Sequence, residues 1–281
     1  MTKIAVIGII GNSVFLPVEE FHKGGETVEA HSLHFEPGGK GFNQAVAASR
    51  CGAKVSFLAA VGLEYRQDFA DFLNKEKIKH TLAFKDESTA FAAIVTDRSG
   101  SNHVTVYQGA MLDEGDVLAF EKEIEGADIL LLNNEVPESV NIAALKLAKK
   151  HGTRCILNPA PARKTDSFII DNVDLFTPNE HETLGIENRD NVIMTLGKRG
   201  CLIKATNELI AAESYGAPID TTGAGDTFNG TLAAMTAEGR DAASSAKIAN
   251  AVAALGVTRK YAVSSIPTSK EIKKIIKDKE N

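Results

Sequence analysis

Short apolar runs alternate with segments of helical periodicity along most of this chain. The runs at Lys3–Gly8, Lys54–Gly62 and Asp128–Asn133 consist largely of Val, Ile, Leu and Ala, as strands that are buried on both faces do. The segments between them, such as Phe42–Gly52, repeat apolar residues every three or four positions and therefore predict helices. Because strands that alternate with helices form parallel sheets covered on both faces, the pattern predicts an α/β fold.

Two segments, at about 12–35 and 91–107, interrupt this alternation. In the second, the stretches FAAIVTD and NHVTVYQ flank the turn residues RSG, a pattern that is typical of antiparallel strands. We expect the two segments to form a small sheet that covers a cleft. Two Ala-rich segments predict long helices at Thr227–Glu238 and Asp241–Leu255. No low-complexity linker divides the sequence, which predicts one main domain over residues 1–281.

The composition narrows the class of partner. The 281 residues carry a formal net charge of −6, so the chain lacks the basic surplus of a general nucleic-acid binder. No apolar run is long enough for a membrane span, and the N-terminal run is too short for a signal-peptide core. Cys51, Cys155 and Cys201 lie far apart and are expected to be buried, reduced thiols of a cytoplasmic protein. We therefore expect a small-molecule partner, with no nucleic acid and no membrane.

The segment DTTGAGDTFNG at Asp220–Gly230 runs from a glycine turn into a predicted helix. Gly223 and Gly225 allow the backbone to turn its amide groups inwards. The helix that begins near Asp226 adds unpaired N–H groups and the positive end of its dipole. Such a corner binds anions, and phosphate above all. The simpler alternative is that Asp226 caps the helix after an ordinary glycine turn.

A second glycine corner, EPGGKGFNQAVAAS, also leads from a loop into a helix. Lys40 and Asn43 offer polar groups there that suit the hydroxyls of a small ligand. The corner is not a Walker A loop, because His34 stands where that motif needs its first Gly and Gly41 where it needs Ser or Thr. Near the N-terminus, GIIGNS does not match the dinucleotide motif GxGxxG.

Together, the two corners and the segments around them resemble the ribokinase family of sugar and nucleoside kinases. The resemblance spans nearly the whole chain and rests on seven motifs in the family's order. These are GETVEA at 25–30, GGKGFNQAVAA at 38–48, NPAPAR at 158–163, TPNEHE at 177–182, TLGKRG at 195–200, DTTGAGDTFNG at 220–230 and VTRK at 257–260. The resemblance implies a three-layer α/β/α fold with a mostly parallel sheet and a small antiparallel β lid.

For the chemistry, the resemblance implies a kinase that transfers the γ-phosphoryl group of ATP to a hydroxyl of a sugar or nucleoside. Asp226 then corresponds to the general base, which accepts the proton of the attacking hydroxyl. The groups that stabilise the transferring phosphoryl group correspond to the amides of Gly223, Ala224 and Gly225. The groups that hydrogen-bond the acceptor correspond to Gly39, Lys40, Asn43 and Glu135.

The resemblance also implies sites for ATP and for two cations. Asn179 and Glu182 correspond to the pair that organises Mg²⁺ and its waters near the nucleotide phosphates. Other implied residues are Thr195, Gly197, Gly200 and Asn250 for the nucleotide, and Asp220, Thr222, Thr258 and Arg259 for K⁺. Without the resemblance, the simpler interpretation of Asp220 is that it favours a turn, because it precedes a glycine turn.

Two features depart from the family pattern. Members place an Asn, and two residues later an Asp that holds sugar hydroxyls, where this chain has Gly11 and Ser13. The lost carboxylate predicts weaker recognition of ribose, since a hydrogen bond to a charged group is worth about 1.5–3 kcal/mol. Either Asn12 substitutes, or the acceptor is another sugar, a deoxysugar or a nucleoside. In addition, the short segment 183–194 leaves little room for a helix that the family usually has there.

These observations leave more than one function open. The lid pairs two subunits in many family members, so we expect a homodimer through the lid. The main alternative to the kinase is a catalytically weak sensor that binds a sugar or nucleotide on the same fold. Retention of Asp226 favours the kinase, because a protein that only binds has no need of a general base. A nicotinamide-dependent oxidoreductase is a more distant alternative, against which the missing GxGxxG counts.

Overall fold

A six-stranded parallel sheet forms the centre of the computed structural model, which describes residues 1–62, 64, 66–98 and 101–280. Its strands are β1 (Lys3–Ile7), β4 (Lys54–Val61), β5 (Lys79–Phe84), β8 (Ile129–Asn133), β9 (Arg154–Asn158) and β10 (Leu175–Phe176). They lie in the order β10-β9-β8-β1-β4-β5, and every neighbouring pair is parallel. The predicted α/β fold with a parallel sheet is confirmed.

Helices cover both faces of this sheet. They are α1 (Lys40–Arg50), α2 (Arg66–Lys75), α3 (Glu114–Ala119), α4 (Glu121–Glu125), α5 (Glu138–His151), α6 (Ser167–Asn172), α7 (Ala224–Ala237), α8 (Ala242–Gly256) and α9 (Ser269–Glu280). Successive residues of β1 point to opposite faces, since Ile4 and Val6 belong to one apolar cluster and Ala5 and Ile7 to another. The first cluster includes residues of α1, α2, α7, α8 and α9, and the second residues of α3 to α6. The three-layer arrangement is therefore confirmed.

A second sheet is formed by the two segments predicted as the lid. It consists of β2 (Gly11–Pro17), β3 (His34–Gly38), β6 (Ala90–Thr96) and β7 (Asn102–Tyr107) in the order β3-β2-β6-β7. The outer pairs, β2–β3 and β6–β7, are antiparallel as expected. The central pair β2–β6, which joins the two segments, is parallel. Ser99 and Gly100 of the predicted RSG turn lie outside the described residues.

A third, antiparallel sheet extends the main sheet beyond β10. It contains β11 (Ile193–Thr195), β12 (Cys201–Ile203) and β13 (Glu208–Ile210), and single parallel bridges join Phe176 to Val192 and Asn179 to Thr195. No helix forms within residues 177–192, all of which are described. The expected loss of a covering helix is therefore confirmed, and turns make the connection in its place.

The remaining general expectations concern the cysteines and the membrane. Cys51, Cys155 and Cys201 are buried and free, as predicted. Burial in apolar surroundings raises the pKa of the Cys51 thiol to about 12, which keeps it protonated. In the part of the chain that the structure describes, no helix is both long and apolar enough to span a membrane.

Candidate active site

Three segments that are far apart in sequence meet at the carboxyl edge of the main sheet. Lys40 begins α1, Glu135 follows β8, and Asp226 lies in the first turn of α7. The Asp226 side chain is buried, and its two carboxylate oxygens accept hydrogen bonds from Asn43 Nδ2 at 3.0 Å and Gln44 Nε2 at 3.2 Å. The structure thus brings together the residues predicted for the base and for the acceptor.

Close packing between α1 and α7 sets the position of Asp226. A Cβ added at Gly230 in α7 would lie 2.2 Å from the Gln44 carbonyl oxygen and 2.7 Å from Ala47 Cβ. Only glycine allows the two helix backbones to approach this closely. The same approach puts the amides of Asn43 and Gln44 within hydrogen-bonding distance of the Asp226 carboxylate one turn earlier in α7.

Gln44 is a site residue that the sequence reasoning missed. Its Nε2 atom also donates to Asn158 Oδ1 at 3.2 Å, and Asn158 Nδ2 donates to the Thr177 carbonyl at 2.8 Å. This chain of amides connects Asp226 to the ends of β9 and β10. A fully buried Gln within an otherwise apolar helical face, as in FNQAVAA, is the sequence signal that marks it.

The charges of the site are strongly coupled. The backbone N–H of Lys40 donates to Glu135 Oε2 at 2.6 Å. The pKa of the Lys40 ammonium is raised, chiefly by the negative charge of Asp226 and less by Glu135 and Glu182, while burial opposes the rise. Burial raises the pKa of Glu135 to about 7, and the Asp226 charge adds to this rise while Lys40 opposes it. Lys40 is therefore a fixed cation between carboxylates.

The glycine corner forms the N-terminus of α7. The helix begins at Ala224, slightly before the predicted position, and Gly223 occupies the N-cap with a left-handed φ of 77°. Of the three amides predicted to face phosphate, the Ala224 N–H donates to the Thr221 carbonyl at 3.2 Å. The amides of Gly223 and Gly225, and also that of Asp226, donate to no acceptor in the described part of the chain. Asp226 is not the cap, because its carboxylate bonds to α1 instead. The corner thus offers unpaired amides beside a buried carboxylate, which is the arrangement that an anion site needs.

The residues assigned to the nucleotide lie at the edge formed by the third sheet. Asn179 Nδ2 donates to Glu182 Oε1 at 2.8 Å, and the Asn179 N–H donates to Glu182 Oε2 at 2.9 Å. Glu182 is close enough to the site to contribute to the raised pKa of Lys40. Thr195 bonds through its N–H to the Pro178 carbonyl at 2.8 Å, which places the TLGKRG turn beside this pair.

Within that turn, Gly197 and Gly200 both have left-handed φ values, and a Cβ at Gly200 would lie 1.9 Å from the Ile210 carbonyl. Asn250 lies on the α8 side of the same sheet. Its Nδ2 atom donates to the Ile210 carbonyl at 3.1 Å and to Cys201 Sγ at 3.5 Å. Asn250 therefore holds α8 against β12 and β13. The sequence analysis assigned Asn250 to the nucleotide and did not predict these hydrogen bonds.

The residues assigned to K⁺ also come together. Asp220 accepts from the N–H groups of Thr222 and Tyr261, both at 2.9 Å, so its loop is held against the loop after α8. Thr222 Oγ1 is buried and has no hydrogen-bond partner among the described residues. Thr258 and Arg259 lie in the second loop, where Arg259 pairs with Glu271. The described residues contain no cluster of three or more His, Cys, Asp or Glu side chains suited to a metal ion.

The second sheet adjoins the candidate site through β2 and β3. Gly39, with a φ of 110°, connects β3 to α1 beside Lys40. A Cβ at Gly11 would lie 2.4 Å from the Ala90 carbonyl, so β6 leaves no room for a side chain there. Ser13 is buried and packs against Gly38, where an added Cβ would lie 2.2 Å from Ser13 Oγ. The lid strand therefore carries no carboxylate at either of these positions.

The buried carboxylate and the amide corner lie at the carboxyl edge of the parallel sheet, which is where open α/β sheets bind small ligands. Comparison with known proteins gives the family. Residues 1–269 match the model of the pfkB family of carbohydrate kinases, and the chain belongs to this family.

Individual relatives agree with this assignment. The ribokinase of Haemophilus influenzae is 34% identical over 295 residues, which cover 95% of this chain and 96% of that protein. The deoxyribokinase of Salmonella typhi is 30% identical, with 94% of this chain and 95% of that protein covered. Among solved structures, ribokinase from Giardia lamblia has a TM-score of 0.88 at 26% identity, and 99% of each chain is covered. The chain is thus an ATP-dependent carbohydrate kinase, as the resemblance implied.

Proposed function

We propose that this kinase transfers the γ-phosphoryl group of ATP to a hydroxyl of a sugar or nucleoside, with Asp226 as the general base. The observation that carries the proposal is the position of the buried Asp226 carboxylate beside the unpaired amides of α7 and the Lys40 and Asn43 side chains. Asp226 accepts the hydroxyl proton as the hydroxyl oxygen bonds to the γ-phosphorus. The bond from that phosphorus to the bridging oxygen breaks, and ADP leaves.

Charge on the transferring group is stabilised by the α7 amides, which are positioned before the reaction and need no reorganisation. Asn43, Lys40 and Glu135 would hold the acceptor's other hydroxyls, since they surround Asp226 at the sheet edge. Asn179 and Glu182 would position Mg²⁺, whose charge would offset that of the ATP phosphates. The Asp220 carboxylate and the Thr222 hydroxyl, which is buried and has no hydrogen-bond partner among the described residues, would contribute to a K⁺ site.

The experiment measures ADP release with Mg²⁺ and K⁺ across pentoses, deoxypentoses, hexoses and nucleosides. Asp226→Asn is expected to lower kcat by about 10²-fold or more while the affinity for ATP is retained. Asp278→Asn, an exposed aspartate on α9, is the matched control and should behave as the wild type. An Asp226→Asn variant with near-normal kcat would remove this residue from the base role. ATP binding without turnover on any acceptor would favour the sensor, and equal rates in K⁺ and Na⁺ would exclude a K⁺ requirement.

We also propose that the chain forms a homodimer through the lid. Large apolar side chains are more than half exposed on both faces of this sheet, with Phe35 and Tyr107 on one face, Val104 and Val106 on the other, and Leu33 just before β3. Exposed apolar groups of this density are typical of association surfaces. Val106→Asp is expected to convert a dimer into a monomer, as measured by analytical ultracentrifugation. A wild-type chain that sediments as a monomer at assay concentration would contradict this proposal.

A further inference from the structure

A cavity of about 790 Å³ lies at the amino-terminal edge of the main sheet. Lys3 and Lys54, which begin β1 and β4, form part of its wall, together with the turn at Gly52 after α1 and Ser269 at the start of α9. The candidate active site lies at the carboxyl edge of the same sheet. None of the residues assigned to acceptor, nucleotide or cations lines the cavity, so it is a separate site.

Seven basic side chains and one acidic side chain line this cavity, although the whole chain has a net charge of −6. Lys79 pairs with Glu123 at 2.8 Å, and Arg50 pairs with Glu76 at 2.6 Å. The ammonium groups of the other five residues are exposed and make no hydrogen bond or ion pair with any residue that the structure describes. These are Lys3, Lys54, Lys77, Lys122 and Lys273.

Stabilisation of helix ends explains only part of this charge. Basic residues near a helix C-terminus offset its dipole, which accounts for Arg50 in α1 and Lys122 in α4. Lys77 follows the C-terminus of α2, where its N–H donates to a carbonyl oxygen of the last turn, so the helix end accounts for it as well. Lys3 and Lys54 begin strands and have no such role. The positive charge is therefore concentrated here beyond what the local secondary structure requires.

We propose that this cavity binds a small metabolite that carries two or three linked phosphate groups. Lysine ammonium groups bind phosphate as point charges, and a concave surface lined by one sign of charge concentrates counter-ions. The volume lies within the range of about 300–1,000 Å³ that is typical of small-molecule sites. A nucleic acid fits less well, because the surplus is confined to one cavity in a chain with 31 basic and 37 acidic residues.

The test titrates inorganic tripolyphosphate into the full chain by calorimetry. The background is Gly225→Asp, because a Cβ at this position meets no atom within 4 Å and the added carboxylate repels phosphate from the α7 corner. Adding Lys54→Gln and Lys122→Gln is expected to weaken binding at least about tenfold, since two charge-assisted contacts are lost. The matched control, Lys149→Gln with Lys247→Gln, removes two exposed lysines that do not line the cavity and should leave binding unchanged.

Several results would overturn this inference. One is the absence of saturable binding at millimolar tripolyphosphate in the Gly225→Asp background. Another is an equal loss in the cavity pair and the control pair, which would mean that the probe responds only to net charge. Citrate that binds as tightly as tripolyphosphate would refute the assignment to linked phosphates. Thermal unfolding of each variant verifies that the fold is retained, as expected for exposed lysines.

Discussion

Replacement of Glu135 by Gln separates the charge of this residue from its hydrogen bond. The Gln side-chain oxygen can still accept the N–H of Lys40, which lies 2.6 Å from Glu135 Oε2 in the native chain. What the variant loses is a carboxylate whose pKa rises from 4.5 to about 7 on folding. Each pKa unit corresponds to about 1.4 kcal/mol, so the charged form costs the folded state up to about 3 kcal/mol.

The sign of the effect follows from proton binding. The folded state binds a proton at Glu135 more tightly than the unfolded state, because burial disfavours the charged form. Below the unfolded pKa of 4.5 both states are protonated, and no cost arises. Between this value and about 7 the cost grows as the pH rises, and above about 7 it is constant. The Glu135→Gln variant should therefore gain stability over the wild type across this window.

Lys40 reduces the expected gain, because its ammonium group loses one favourable partner when the carboxylate is removed. We expect the variant to be more stable than the wild type by about 1–2 kcal/mol at pH 8 and by little at pH 5. Urea unfolding of the ligand-free chain from pH 5 to pH 8 measures this difference. Glu138→Gln, in the first turn of α5, is the control for the same chemical replacement nearby. A stability difference for Glu135→Gln that does not change with pH would refute the reasoning.

Two further variants test the packing that positions Asp226. Gln44→Leu leaves Asp226 Oδ1 and Asn158 Oδ1 without a donor in a buried site, so we expect a loss of about 2–3 kcal/mol in urea unfolding and about a tenfold lower kcat with an unchanged KM for ATP. A loss of stability with full kcat would show that Gln44 does not position the base. Gly230→Ala places a Cβ 2.2 Å from the Gln44 carbonyl and should destabilise the chain by about 1–3 kcal/mol despite alanine's better helix propensity. Gly256→Ala, where the nearest contact is 3.6 Å, is the control, and an equal effect of both would contradict the packing argument.

Much of the fold follows from local pattern. The apolar runs at β1, β4 and β8 are short and uninterrupted, and their burial on both faces is the physical reason for that pattern. The parallel pairing of β2 with β6 was not predicted, because it depends on contacts between segments more than 70 residues apart. The segment 183–194 was predicted to lack a helix, since its 12 residues are close to the minimum of about 10–12 for a connection between parallel strands that includes a helix.

The candidate site was predictable only in part for a similar reason. Motifs such as DTTGAGD identify residues by type and order, so Asp226 and Lys40 were found. Gln44 was not, because its role depends on the orientation of its amide towards Asp226 and Asn158 across two helices and a strand. Nor did the sequence indicate that Asn250 bonds to the Ile210 carbonyl of β13, which needs the packing of α8 on that sheet.

Strand β2 carries Gly11 and Ser13, the two positions that the family resemblance assigns to acceptor recognition. Glu36 lies opposite Ser13 in the strand register and is the nearest carboxylate to that position on β3. Glu36 is not free to hold an acceptor hydroxyl, because its oxygens already accept from the N–H groups of residues 262–264 and from the Ser264 hydroxyl. Gly11 cannot accept a side chain without moving β6. A hydroxyl that points towards β2 is therefore left without a charged partner, and its desolvation is poorly compensated.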